Sequence, residues 1–282
     1  MRLGIVAPAE LQKFWEQHIR TFHSVKEVEM VTRTEALTDV DACLFAPKSQ
    51  DPVEEALQVL KHSIHLFWVL PLPDSVNTAN RFISISEESG VSVQFLCWPI
   101  YHPAMLRMMQ HIPRAAMIDI CREIPHHDCI KSGLTSDRLF RDEIAYCSFW
   151  INHTMYDLRY SAQPEDGRLA VFLDLDLQFV NGARASIRID TTSDSHTYRR
   201  IASNRNITLR HDIETNTIVR AETGNRQDIH FEREQLPQHT SARQALISFF
   251  RSISQPAFRN FNPHELKRFC SIIEALERKR ER

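Results

Sequence analysis

One alternation organises the first hundred residues. Short, nearly continuous apolar runs are separated by segments with helical periodicity. The apolar runs are Arg2 to Ala7, Glu27 to Val31, Ala42 to Ala46, His65 to Leu70 and Val91 to Cys97. Leu11 to Phe22 places Leu11, Phe14, Trp15 and Ile19 on one helical side. Pro52 to His62 reads as a helix with Asp51 as cap and Pro52 at the first position, and a helix capped by Asp74 or Ser75 runs to Glu88 and stops at Gly90. Strands without a polar face, each followed by a helix, must be covered on both sides. The pattern therefore predicts an α/β architecture with a parallel sheet between helices.

After about residue 125 the pattern changes. Arg138 to Tyr160 reads as one long helix, and alternating strands then follow with no helices between them: Leu173 to Phe179, Ala183 to Ile189, Tyr198 to Ala202, Ile207 to His211, Thr217 to Arg220 and Gln227 to Glu232. Helices at about 241–254 and 263–280 close the chain. The first two of these strands predict a hairpin. A two-residue turn at Asn181-Gly182 would set leucines opposite Ser186 and Arg188 and mix the faces. A three-residue loop, Val180-Asn181-Gly182, pairs Phe179 with Ala183 and keeps one face apolar, with Gly182 in the left-handed conformation. Asp174 then faces Arg188 and Asp176 faces Ser186, so these carboxylates read as cross-strand partners and not as acid/base machinery. The expected division is a Rossmann-like parallel-sheet domain at 1–122 and an α+β domain with a mostly antiparallel open sheet at 123–282, the last helix packing back on the first domain.

Composition narrows the function. Only 6 glycines occur, against roughly 20 at an average usage of about 7%. No two are close, so neither a P-loop nor a G-x-G-x-x-G turn can be written. Lys+Arg is 34 and Asp+Glu 36, with no basic stripe, so no nucleic-acid partner is expected. No apolar run has the length of a membrane span, and the chain opens directly on a strand pattern and not a signal peptide. The six cysteines are scattered without C-x-x-C, which suits free thiols in a reducing cytoplasm. His126-His127-Asp128-Cys129 lacks the separated ligand pairs of a structural zinc site and reads as a polar loop, so no metal is expected.

The element order and several local stretches resemble the Gfo/Idh/MocA family of nicotinamide-dependent oxidoreductases over nearly the whole chain. Arg2 to Ala7 resembles its opening strand. His65 to Pro71 occupies the place of its active-site strand, followed by a helix ending Glu-Glu-Ser-Gly90. Tyr101-His-Pro103 is similar to its aromatic-x-Pro stretch after the fifth strand, and Phe179-Val-Asn-Gly-Ala183 to its sheet hairpin. Arg199 to Leu209 is similar to the strand-turn-strand that follows. The resemblance implies the two-domain fold. It also exposes departures. The family's glycine-rich turn is replaced by Ala7-Pro8-Ala9-Glu10. Those glycines let backbone N–H groups approach a pyrophosphate, whereas Pro8 has no N–H and Glu10 adds negative charge. Thr32-Arg33 stands where an acidic residue would hold a ribose hydroxyl, a pair that suits a 2′-phosphate. The family's Glu-Lys-Pro falls on Val69-Leu70-Pro71, and Leu70 cannot transfer a proton.

The resemblance further implies a substrate-polarising histidine in the second domain, with an aspartate three residues on. His153 falls on the histidine and Tyr156 on the aspartate, while Asp157 stands at i+4 from His153. On the expected long helix Tyr146, Trp150, His153 and Asp157 share one face and read as a ligand-cleft wall; Tyr101 and His102 follow the fifth strand at the sheet's carboxyl edge, where open α/β sheets bind ligands. The leading expectation is a non-catalytic homologue with an eroded dinucleotide site and no cofactor. It would bind a small sugar-like ligand between the domains through Tyr101, His102, Trp150, His153 and Asp157. One alternative is an active NAD(P)-dependent oxidoreductase on a sugar or polyol derivative, with Thr32 and Arg33 at the cofactor and His153 as the catalytic candidate. The other is an assembly protein that forms a homo-oligomer through the flat second-domain sheet.

Overall fold

The structure, a computed structural model, describes residues 1–37, 39–125, 127–128, 136–163, 172–224, 228–236, 240–255 and 257–280. Its contacts divide the chain into two units, Met1–Tyr101 with Thr240–Ser271, and His102–His239 with Ile272–Arg282. The boundary expected at 122/123 falls inside the second unit.

In the first unit β1 (Arg2–Val6), β2 (Glu27–Val31), β3 (Ala42–Phe45), β4 (His65–Trp68) and β5 (Val93–Phe95) form an all-parallel sheet in the order β2-β1-β3-β4-β5. Every residue of β3 is buried, which is why that strand carries no polar face. The crossovers run through α1 (Ala9–Ile19), α2 (Pro52–Lys61) and α3 (Val76–Ser89). The expected caps form: the Asp51 side chain accepts from Glu54 N–H at 3.1 Å, Ser75 accepts from Thr78 N–H, and Gly90 ends α3 at φ 66°. On α1 the expected four-residue stripe is only half realised. Trp15 and Ile19 are buried, whereas Leu11 and Phe14 are exposed.

The chain returns to this unit as α6 (Ser241–Ser254) and the start of α7 (Pro263–Arg280). The returning segment covers the β5 edge. Gln94, fully buried, donates from Nε2 to Ala245 O at 2.8 Å, and Phe95 N–H donates to Phe261 O at 2.8 Å. An open strand edge is thereby satisfied.

The second unit begins with α4 (Pro103–His111), and its sheet comprises β6 (Met117–Glu123), β7 (Met155–Gln163), β8 (Phe172–Phe179), β9 (Arg184–Asp190), β10 (Thr197–Ser203), β11 (Ile207–Asp212), β12 (Thr217–Thr223) and β13 (Ile229–Gln235). Their order is β13-β12-β11-β10-β6-β9-β8-β7. Among the described residues, only β6 and β9 pair in parallel, so the sheet is mostly antiparallel as expected. The hairpin takes the three-residue loop: Phe179 N–H donates to Ala183 O at 3.0 Å, Gly182 has φ 81°, and Asp174 and Asp176 lie opposite Arg188 and Ser186.

Two expectations are corrected. The long helix at 138–160 does not exist. α5 (Ser136–Ile151) ends where Asn152 turns to φ 58°, and β7 follows. Asn tolerates the left-handed conformation that closes a helix. The second is β6, an element absent from the sequence reading, which lies inside the sheet between β9 and β10. Among the described residues, no helix is long and apolar enough to cross a membrane. Among the described residues, Cys43, Cys121 and Cys147 form no disulfide. His126 and Cys129 of the histidine-rich loop, and Gln227 at the start of the last expected strand, lie outside the described residues.

Candidate functional site

At the carboxyl edge of the first sheet, β1 runs through Ala7 into Pro8, which occupies the N-cap of α1 and makes no side-chain cap bond. One turn into the helix, the Gln12 amide reaches back and donates to both Ala7 O (2.8 Å) and Val31 O (2.9 Å). One side chain thus ties the ends of β1 and β2 together. Below it, a Cβ at Gly4 would lie 2.5 Å from Leu37 Cδ2, so this glycine lets Leu37 close over the strand. Thr32 and Arg33 are exposed beyond β2. After β4, Trp68 Nε1 donates to Pro71 O at 3.0 Å and holds the Val69-Leu70-Pro71 turn, where half-buried Leu70 offers no titratable group.

The helix-face wall expected in the second domain is not assembled. His153 is half-buried in the turn between α5 and β7, and Asp157 lies on β7 in register with Gln178, beside a bulge. The i, i+4 relation between them needed a helix that is not there. Tyr101 is a core residue of the first unit: its hydroxyl donates to Phe95 O and accepts from Phe261 N–H, each at 3.3 Å, and burial pushes its pKa up. Trp150 is fully buried and donates to Ile112 O at 2.7 Å. Both ring donors are committed to backbone carbonyls. His102 is the N-cap of α4, and its Nδ1 accepts from Ala104 N–H at 3.2 Å.

His102 leads to a cluster that the sequence reading overlooked. Its ring stands 5.4 Å from that of His211, which is 1% exposed. His211 lies opposite Arg200 in the β10–β11 register. Arg200, also buried, forks onto the buried carboxylate of Glu143 on α5, with Nη2 2.9 Å from Oε1 and Nε 3.2 Å from Oε2. The Tyr198 hydroxyl donates to the same carboxylate and accepts from Arg200. The Arg200 guanidinium lies 4.4 Å from the Tyr146 ring centre and 4.7 Å from that of Tyr198, and Arg122 caps the Tyr198 ring at 4.6 Å. A buried ion pair is tolerable only with such geometry and further hydrogen bonds.

The cluster fixes the state of the histidines. Burial, then His102, then Arg200 lowers the His211 pKa to about 4. Burial first and Arg200 second lower that of His102. Neutral imidazoles each present one donor and one acceptor. Among the described residues, the buried His211 Nε2 meets no hydrogen-bond partner, and neither do Tyr146 OH and Ser148 Oγ. The arrangement can therefore exchange hydrogen bonds with a neutral polar group, but it holds no metal cage: among the described residues, no group of three or more His, Cys, Asp or Glu could bind an ion. Sequence signals for the cluster existed. Glu143 occupies an apolar stripe with Phe140, Cys147 and Trp150, and Arg200 stands at an inward position between Tyr198 and Ala202.

No protein-family model and no curated protein matches this sequence. Solved structures do. The chain is similar to UDP-N-acetylglucosamine 3-dehydrogenase GnnA from Acidithiobacillus ferrooxidans, with 14% identity, a TM-score of 0.77, and 98% of this chain and 96% of that one covered. It is similar to an oxidoreductase from Sinorhizobium meliloti at 12% identity and TM-score 0.78, covering 100% and 97%. It is also similar to a mutant 3-ketoreductase from Actinomadura kijaniata, solved with TDP-benzene and NADP, at 13% identity and TM-score 0.68, covering 98% and 96%. At such identities the likeness establishes the fold alone, the one expected from the resemblance.

Proposed function

We propose that this protein keeps an oxidoreductase fold but works as a binder of a small polyhydroxylated ligand, a sugar or sugar derivative, and not as a hydride-transfer enzyme. The observation that carries this reading is Gln12. Its amide holds the two strand-end carbonyls at the edge where a glycine-rich turn would leave room for a pyrophosphate. Pro8 without an N–H and Leu70 without a proton point the same way. The sugar chemistry is suggested by neighbours named for a sugar nucleotide and a keto group. Among the expected ligand residues His102 is the strongest candidate, because it is half-buried and keeps its ring beside His211.

The test is a titration with NADH and NADPH, followed by fluorescence and melting temperature, then a panel of sugar acids and polyols. A ligand at 100 times its Kd should stabilise the fold by about 2.7 kcal/mol. The reading expects no nucleotide response and a hit in the panel that His102→Ala removes. Saturable binding of either nucleotide would overturn it.

One observation favours a second reading, an active NAD(P)-dependent oxidoreductase. Arg33 is exposed just past β2, where a 2′-phosphate would arrive. That reading requires NADPH binding that Arg33→Ala weakens.

A further inference from the structure

Arg210 of β11 lies in register with Val219 of β12, and Val219 with Arg233 of β13. The two arginines therefore flank one valine on one face of the second sheet. At a strand spacing of about 4.8 Å their Cα atoms stand roughly 10 Å apart. Between them is a depression of about 240 Å³ lined by Arg210, Asp212, Thr215, Thr217, Val219 and Arg233. Both arginines are exposed, and among the described residues neither meets a carboxylate. The one carboxylate in the lining is occupied with shaping its turn: Asp212 Oδ1 accepts from Thr215 N–H at 3.0 Å. Across the β10–β11 pairing from Asp212 stands Arg199, whose buried Nε meets no acceptor among the described residues. Within the lining of the depression itself, the two guanidinium groups of Arg210 and Arg233 outnumber the single carboxylate of Asp212.

The geometry points to a site for a phosphate-bearing small molecule between Arg210 and Arg233, with Val219 and Thr217 as its floor. A guanidinium presents a planar fork of donors. A carboxylate has two oxygens and satisfies one such fork, whereas a phosphate has oxygens for two forks at once. Thr217 keeps the floor in place, because its hydroxyl lies within hydrogen-bond distance of Thr215 O (3.2 Å) and Gln235 Oε1 (3.1 Å). This site is independent of the sugar-binding reading above.

Calorimetry on the full chain at low ionic strength, with inorganic phosphate and pyrophosphate as probes, tests it. We expect saturable binding that weakens at least tenfold in Arg210→Gln and in Arg233→Gln. It should persist in Arg188→Gln, an exposed arginine on the same face at β9, with circular dichroism unchanged in all three. Absence of binding to the wild-type chain would overturn the site. So would an equal loss in Arg188→Gln, which would mark general surface charge, or malonate binding as tightly as pyrophosphate, which would remove the phosphate class.

Discussion

The Arg200 guanidinium grips the Glu143 carboxylate with two nitrogens, at 2.9 and 3.2 Å, in a place where neither residue is more than 3% exposed. Removing one partner strands the other in the core. Glu143→Met or Arg200→Met is expected to cost about 3–5 kcal/mol, whereas the double replacement Glu143→Met with Arg200→Met should cost less than either alone. Urea denaturation of the three variants checks this, and additive losses would contradict it.

Acid should weaken the fold through His211. Its folded pKa is about 4, against an ordinary value of 6.5. Between these values the unfolded chain binds the proton and the folded chain does not, so stability falls as pH drops through that window. The full effect is on the order of 3 kcal/mol, and the lowered pKa of His102 acts in the same direction. Melting temperature measured from pH 7 to pH 4.5 should fall less steeply in His211→Leu than in the wild-type chain.

Gln12 provides a local test of the strand-edge tie. Gln12→Ala removes two hydrogen bonds to backbone carbonyls and should destabilise by about 1–3 kcal/mol. Gln12→Glu should be worse, because an ionised carboxylate offers no donor and faces two carbonyl oxygens. Chemical denaturation at pH 7 ranks the pair, and equal stability of Gln12→Glu and the wild type would show that the tie contributes nothing.

Gly182 isolates a backbone effect. A Cβ there would meet nothing within 4 Å, yet φ is 81°. Gly182→Ala should therefore cost about 1–2 kcal/mol by conformation alone. Gly182→Asn should cost less, since Asn visits this region more readily, and thermal denaturation reads the difference.

The hairpin, the parallel sheet and the helix caps were legible because each follows from short-range rules: alternation, a cap at the right offset, a glycine where φ is positive. β7 was not legible. Its residues are mostly exposed or half-buried, with only Leu158 buried, so no apolar alternation opposed the helical spacing of Trp150, His153 and Asp157. The telling residue was Asn152, which turns left-handed. β6 was hidden for a different reason: its partners, β9 and β10, lie more than sixty residues downstream. The Glu143–Arg200 pair shares that property, its members standing 57 positions apart. Neither charge reveals its partner locally; only the inward position of each marks it.

The covering of β5 bears on synthesis. Gln94 finds its acceptor 151 residues downstream, at Ala245. At about 5–20 residues per second, the ribosome takes on the order of 10–30 s to make that stretch. Throughout that interval the nascent first sheet has an uncovered edge and Gln94 lacks its folded-state acceptor, while the whole intervening sheet is being made. The first unit, though it begins the chain, is completed only after nearly all of the second has emerged, so a nascent chain halted before residue 240 would present that edge to whatever lies nearby.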